Sequence, residues 1–295
     1  MNHTTLKENG NTLSVWKISV FSLAMIFIFV ATALFCGLLT VWIPDVAWRI
    51  VVREIILRPP LTIIALHYFA IKVIRNYRPD GIYGRIEFRS LLKWTAFSLL
   101  LPVATWISYY FLKLIVPFQQ SEPLGHEKII SLFITWVSLS VAAGMTEEVL
   151  FRGHLFMIIA TRYSKTKAIL TTSLIFGLVH LVMLTAFSFA DILIVLVGGF
   201  IAGLMFSLIY YYTNVIWYAA VVHISWNIFF IGKITAVAET QAEANQIIMP
   251  FRLTTHNALL TGGNFGLEAG LPCFIIYLLV IGILYALIRT DRNPR

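Results

Sequence analysis

The sequence predicts an all-α fold, a polytopic transmembrane helical bundle of about eight spans, on three observations. Of its 295 residues, 59% are hydrophobic and only 12% charged, against roughly 25% charged in an average soluble domain. Eight apolar runs reach or approach the roughly 20 residues that cross a bilayer core. These runs fill almost the whole chain and leave no polar block large enough to fold separately, so 1–295 reads as a single integral membrane domain.

The runs are Ile18 to Ile43, Ala47 to Ile74, Leu91 to Phe118, Ile129 to Met157, Ala168 to Phe187, Ile192 to Tyr212, Val215 to Ile231 and Leu271 to Ile288. The first contains a small-residue "ATA" at Ala31 to Ala33 that mimics a signal-peptide cleavage site, but it continues well past it and reads as a retained helix. The second is the weakest. Its first half carries Arg49, Arg53 and Glu54 ahead of Arg58-Pro59-Pro60, so residues 47–57 are also readable as an interfacial helix or a broken span, which would leave seven.

The formal charge is +8, but the basic residues sit in short loops between apolar runs, which argues for orientation signals and anionic-lipid contacts and against nucleic acid. With eight spans, fourteen of the 22 Lys and Arg residues fall on the side of the termini and six on the other, with Lys113 and Arg152 inside runs. The positive-inside bias therefore predicts cytoplasmic termini, in a protein expected in the plasma membrane. Cys36 and Cys273 lie in apolar runs and read as packing residues rather than a disulfide or metal framework. Lys233 to Gly270 is a polar interruption too long for a simple turn and reads as a lid. It ends in "TGGNFGLEAG", whose glycines lack the Lys-Ser/Thr of a phosphate loop and read as a flexible loop.

The chemistry is concentrated in three polar intrusions. In "AAGMTEEVLFRGHL", Glu148 and Arg152 are four apart and share a helix face, whereas Glu147 is turned about 100° away and left free. An ionised side chain at the bilayer centre costs about 2.5–3.5 kcal/mol even on insertion scales, so partners or a wetted cavity are required. The bland alternative is a helix that ends near residue 146, with both acids at a wet terminus and Arg152 snorkelling. His180 sits mid-run in "SLIFGLVHLVML", and His223 and Asn227 lie four apart in "AAVVHISWNIFF", on one helix face. Intramembrane ionisable residues on three spans usually meet in the bundle interior. A carboxylate with an imidazole can position and deprotonate water, and further donors can stabilise an oxyanion, which suits amide hydrolysis. No G-x-S-x-G element is present and neither Cys is near a His in sequence, disfavouring an acyl-enzyme. H-E-x-x-H is absent, although Glu147, His180 and His223 could form a two-His, one-carboxylate zinc site.

At these residues the sequence resembles the CPBP family of CAAX prenyl proteases and bacteriocin-processing intramembrane endopeptidases, also called the Abi family. The match rests on E-E-x-x-x-R at Glu147 to Arg152, F-x-x-x-H at Phe176 to His180 and H-x-x-x-N at His223 to Asn227, within a core of about 129–231, a third of the chain. The resemblance implies that Glu147 is the general base toward water, that His180 orients that water, that His223 and Asn227 form the oxyanion site, and that Glu148 and Arg152 hold the helix. Glu147 would then return its proton to the leaving amine. It implies a peptide or membrane-protein substrate, prenylated in some members, and leaves open glutamate-type catalysis without a cofactor or dependence on a divalent metal such as zinc. Rival readings are a catalytically inactive peptide-binding scaffold or immunity protein and, in a different class, a proton-coupled transporter, against which the lack of inverted repeats argues. Lys113 reads as snorkelling from a span end and His154 as interfacial, and His67, Asp191 and Glu268 have no assigned role.

Overall fold

The computed structural model describes residues 13–75, 81–184, 188–232 and 234–291. Lys7, Arg78, Lys233, Arg292 and Arg295 of the loop charges, and residues 185–187 of the fifth run, lie outside them. The first helix, α1 (Val15–Thr40), is followed by α2 (Val46–Val51) and α3 (Arg58–Phe69), joined by a π-helical stretch Val52–Leu57 and extended by another, Ala70–Ile74. Then come α4 (Phe88–Phe111), α5 (His126–Glu148), a π-helical stretch Val149–Leu155, α6 (Phe156–Ala160), α7 (Lys165–His180), α8 (Phe189–Thr213) and α9 (Ile216–Phe230). Short helices α10 (Gln241–Ala244) and α11 (Ala258–Thr261) precede α12 (Leu271–Asp291). Among the described residues, six helices are long and apolar enough to cross a membrane, α5 through α6 running unbroken over His126–Ala160. The fold is an all-α polytopic bundle.

The helix starts are set by side-chain caps. Ser14 accepts from Lys17 N, Asp45 from Trp48 N, Ser164 from Lys167 N and Ser188 from Asp191 N, each satisfying a backbone donor that the first turn leaves unpaired. α8 ends at Asn214 with φ 54°, a left-handed cap that Asn tolerates.

Two expectations are corrected. The second run is not broken, because residues 46–74 are helical throughout and the Pro59-Pro60 break is absorbed by a π-helical stretch ending at Leu57, but it is not among the six helices long and apolar enough to cross a membrane. A wider turn accommodates the missing N–H groups without ending the helix. Arg53 and Arg58 are therefore not loop charges. Arg53 Nε and Arg58 Nη1 donate to Glu54 at 2.7 and 3.0 Å, with Glu54 buried. The third run does not stay helical to Phe118 either: after Lys113, with φ 55°, Ile115–Pro117 becomes strand β1.

β1 pairs antiparallel with β3 (Met249–Leu253), which pairs in parallel with β2 (Thr235–Val237), giving the order β1-β3-β2. β2 and β3 belong to the segment read from sequence as a lid. The sheet is pinned to the helices by Trp106, which stacks on Phe230 and Phe251. The glycine-rich end of the segment is also tied down. Asn264 donates from its backbone N and side-chain Nδ2 to Asp191 on α8, at 3.1 and 2.8 Å, and Tyr109 on α4 donates to the Leu267 carbonyl at 2.7 Å.

The core lies where α5 to α9 and α12 meet, while α1 presents Trp16, Leu23, Phe27, Leu34 and Leu38 outward, as a lipid-facing helix should. All seven residues of Val149–Leu155 are buried, so this stretch is packed on every side. α7 and α8 approach closely because Gly199 faces Gly177 and Gly203 faces Ser173. A Cβ added at Gly199 would lie 2.6 Å from the Gly177 Cα, and one at Gly203 would lie 2.9 Å from the Ser173 Cα. Small residues four apart let backbones touch where lipid offers no hydrophobic drive. Gly199→Leu is expected to destabilise the protein by about 1–3 kcal/mol through overpacking, seen as a lowered unfolding midpoint in detergent, whereas the same change at Gly37, with open space around it, should leave the midpoint almost unmoved.

Candidate active site

The structure brings Glu147, His180, His223 and Asn227 to the wall of one cavity of about 370 Å³, whose lining also includes Arg58, Phe206, Trp226, Phe265, Glu268 and Tyr277. Glu147 comes from the end of α5, His180 from the end of α7, and His223 and Asn227 from successive turns of one face of α9.

Beneath the cavity wall lies a buried charge network. Arg152 Nη1 donates to Glu148 Oε1 at 2.8 Å, with both side chains fully buried, and Arg152 Nη2 donates to the Gly203 carbonyl at 3.0 Å. The guanidinium carbon stands 4.5 Å from the ring centre of Phe176 and 5.2 Å from that of Phe206, so aromatic faces supply part of the electrostatic compensation water would give. The same Glu148 oxygen lies 2.8 Å from His223 Nδ1. A carboxylate that holds Arg152 can only accept, so Nδ1 carries the proton and Nε2 is the nitrogen left for chemistry. The His223 ring is further fixed by stacking on Phe206, at 4.6 Å and 17°.

His223 Nε2 points toward Glu147, 3.9 Å from its Oε2. Glu147 is 18% exposed on its side chain, and Oε2 itself is buried without a hydrogen-bond partner among the described residues. Such an oxygen is costly to leave unsatisfied, and the cavity gives it room for water. His180 Nδ1 lies 2.6 Å from the Phe176 carbonyl. That oxygen only accepts, so Nδ1 is again the protonated nitrogen, and neutral His180 offers an Nε2 lone pair. Two imidazoles thus have their Nδ1 atoms committed and their Nε2 atoms available.

Glu147, His180 and His223 were the candidate metal set. Among the described residues no group of three or more His, Cys, Asp or Glu has an arrangement suited to a metal ion, and no step below passes through one. His154 is fully buried, its ring 6.3 Å from that of His67. Lys113 is exposed just beyond α4.

Sequence reasoning assigned no role to Glu268 and placed Arg58 in a loop. Nothing in their spacing ties them to the three motifs, and only the folded chain shows that both border the same cavity. Removing one member of the Glu148–Arg152 pair strands the other charge away from water. Arg152→Met is expected to destabilise by about 3–5 kcal/mol, measured by denaturant unfolding in detergent, and Glu148→Gln with Arg152→Met should cost less than the two single changes added together.

No curated protein and no solved structure matches the chain. A family model does: residues 129–229 match the description "Type II CAAX prenyl endopeptidase Rce1-like". That span holds all three motifs and begins and ends within a few residues of the core expected from the sequence. Residues 129–229, on α5 to α9 of an integral membrane bundle, are thus similar to the Rce1-like type II CAAX prenyl endopeptidases.

Proposed function

We propose that this protein is an intramembrane endopeptidase that hydrolyses peptide bonds of membrane-associated peptides or proteins, prenylated substrates among them, with Glu147 as the base toward water. The observation that carries this reading is the unpartnered Glu147 Oε2, which faces a cavity shared with His180 and lies 3.9 Å from His223 Nε2. The termini are assigned to the cytoplasmic face of the plasma membrane on the loop-charge bias, and the chain to one domain whose catalytic core is about 129–231.

Water enters between Glu147 and His180 and donates one hydrogen bond to the Glu147 carboxylate and the other to the His180 Nε2 lone pair. The two acceptors fix the direction of the oxygen lone pair that attacks. As the peptide carbonyl is attacked, Glu147 takes a proton from the water and the carbonyl oxygen becomes negative. That charge is met at the wall formed by the Asn227 amide and by His223, whose ring Glu148 orients through Nδ1. Donors already aimed at a developing oxyanion in a water-poor cavity need no reorganisation. The tetrahedral adduct then collapses once the leaving nitrogen is protonated, by Glu147 in the simplest cycle. Glu148 and Arg152 do not touch substrate in this scheme. They position His223 and the Val149–Leu155 stretch.

The test is cleavage of a quenched peptide library, with and without a prenylated cysteine, by detergent-purified protein in the presence and absence of chelator. Glu147→Ala and His180→Ala are each expected to lower turnover by at least about 100-fold, the low end of what general acid–base catalysis supplies, with unfolding midpoints close to wild type. Cleavage lost on chelation would replace the glutamate mechanism with a metal-dependent one. A folded wild-type protein that cuts nothing would favour the peptide-binding scaffold.

A further inference from the structure

The cavity holds a second carboxylate that the scheme above does not use. Glu268 sits on the 3₁₀ turn Leu267–Ala269, directly before α12, partly buried and lining the same cavity as Glu147, His180, His223 and Asn227. Its position is specified by three helices. α4 holds the turn through the Tyr109 hydroxyl on the Leu267 carbonyl at 2.7 Å. α8 holds the preceding loop through Asp191, which accepts from Asn264. α9 sets the Trp226 side chain beside the carboxyl, on the same cavity wall. A loop acid with no task would not need such support.

We propose that Glu268 is the proton donor to the departing amine, which leaves Glu147 to act as base toward water alone. The assignment rests on the reading of Glu147 as that base. The two acids differ in surroundings in the way that separates a base from an acid. Glu147 faces His223 Nε2. Glu268 is set among Trp226, Phe265 and Tyr277, where burial pushes its pKa up to about 7, opposed only in part by the Trp226 side chain and by His223. Facing it are His223 on α9, Glu147 on α5, and Cys273 and Tyr277 on α12, with Tyr109 of α4 beneath.

The cycle balances. Water gives one proton to Glu147 and its oxygen to the carbonyl carbon. Glu268 gives its proton to the nitrogen as the C–N bond breaks, and the electron pair of that bond stays on the amine. The new carboxylic acid and the free amine leave, and Glu147 returns its proton through cavity water to Glu268. No further reactant is needed.

The experiment compares two probes in detergent-purified full-length protein: a quenched prenylated peptide amide, and an ester of the same acyl segment with a phenolic leaving group, which departs as its own anion and needs no proton. Glu268→Gln is expected to lower amide turnover by about 100-fold or more while ester turnover stays within a few-fold of wild type. The acid must be protonated to act, so wild-type amide turnover should fall as pH rises through about 7, and this alkaline limb should be absent from the residual turnover of Glu268→Gln. Glu268→Asp, which keeps the proton on a shorter arm, should lose less than Glu268→Gln on the amide only, and it carries the test if Glu268→Gln does not fold. Equal losses on both probes, or an unchanged amide rate, would overturn the assignment. If Glu147→Gln instead cut the ester at the wild-type rate, the base assignment would fail, independently of Glu268.

Discussion

The site depends on one oxygen atom. Glu148 Oε1 takes hydrogen bonds from Arg152 of its own helix and from His223, 75 positions further along, both at 2.8 Å. The first bond neutralises a guanidinium that has no access to water. The second fixes which nitrogen of His223 meets the cavity and joins α9 to α5. Neither charge is tolerable alone in this interior, so the network forms as a unit or not at all. Its formation sets the crossing of α5 and α9 and, through Gly203, the position of α8.

The backbone is adapted to that requirement. The stretch after Glu148 is π-helical, and every residue from Val149 to Leu155 is buried. A π turn changes the direction of successive side chains within a continuous helix, so Arg152 reaches both Glu148 and the Phe176 and Phe206 faces while Phe151 and Leu155 enter the core. The other π stretches lie in residues 46–74, where the first carries Glu54 between Arg53 and Arg58. In both cases a wide turn coincides with charge that the membrane must hide.

Much of this was legible in the sequence because it depends on spacing along a single helix. The separation of Glu147 from Glu148, the Glu148–Arg152 contact and the shared face of His223 and Asn227 all follow from the 3.6-residue period. What was not legible depends on contacts between distant segments. The His223–Glu148 bond and the arrival of Glu268 at the cavity have no local signature. The three-stranded sheet was missed because β1 continues an apolar run without a break in composition. The Lys233–Gly270 segment was misread as a loose cover because the hydrogen bonds from Asn264 to Asp191 and from Tyr109 to Leu267 are invisible to composition.

A cavity with aromatic walls imposes a constraint on any hydrolysis within it: charge can be moved cheaply over a short distance but not created. The arrangement meets that constraint. Glu148 and Arg152 cancel each other and take no part in proton exchange. In the proposed scheme, Glu147 loses its negative charge on accepting a proton from water as the attacked carbonyl oxygen gains one, so a single charge is moved within the cavity. His223, held from behind by Glu148, lines the cavity beside Glu147 and faces that charge. A neutral amide at Asn227 adds a dipole and no net charge. Under that scheme, a glutamate, two imidazoles and an amide, rather than a lysine or a free arginine, would let the electrostatic sum of the site stay nearly constant through the reaction.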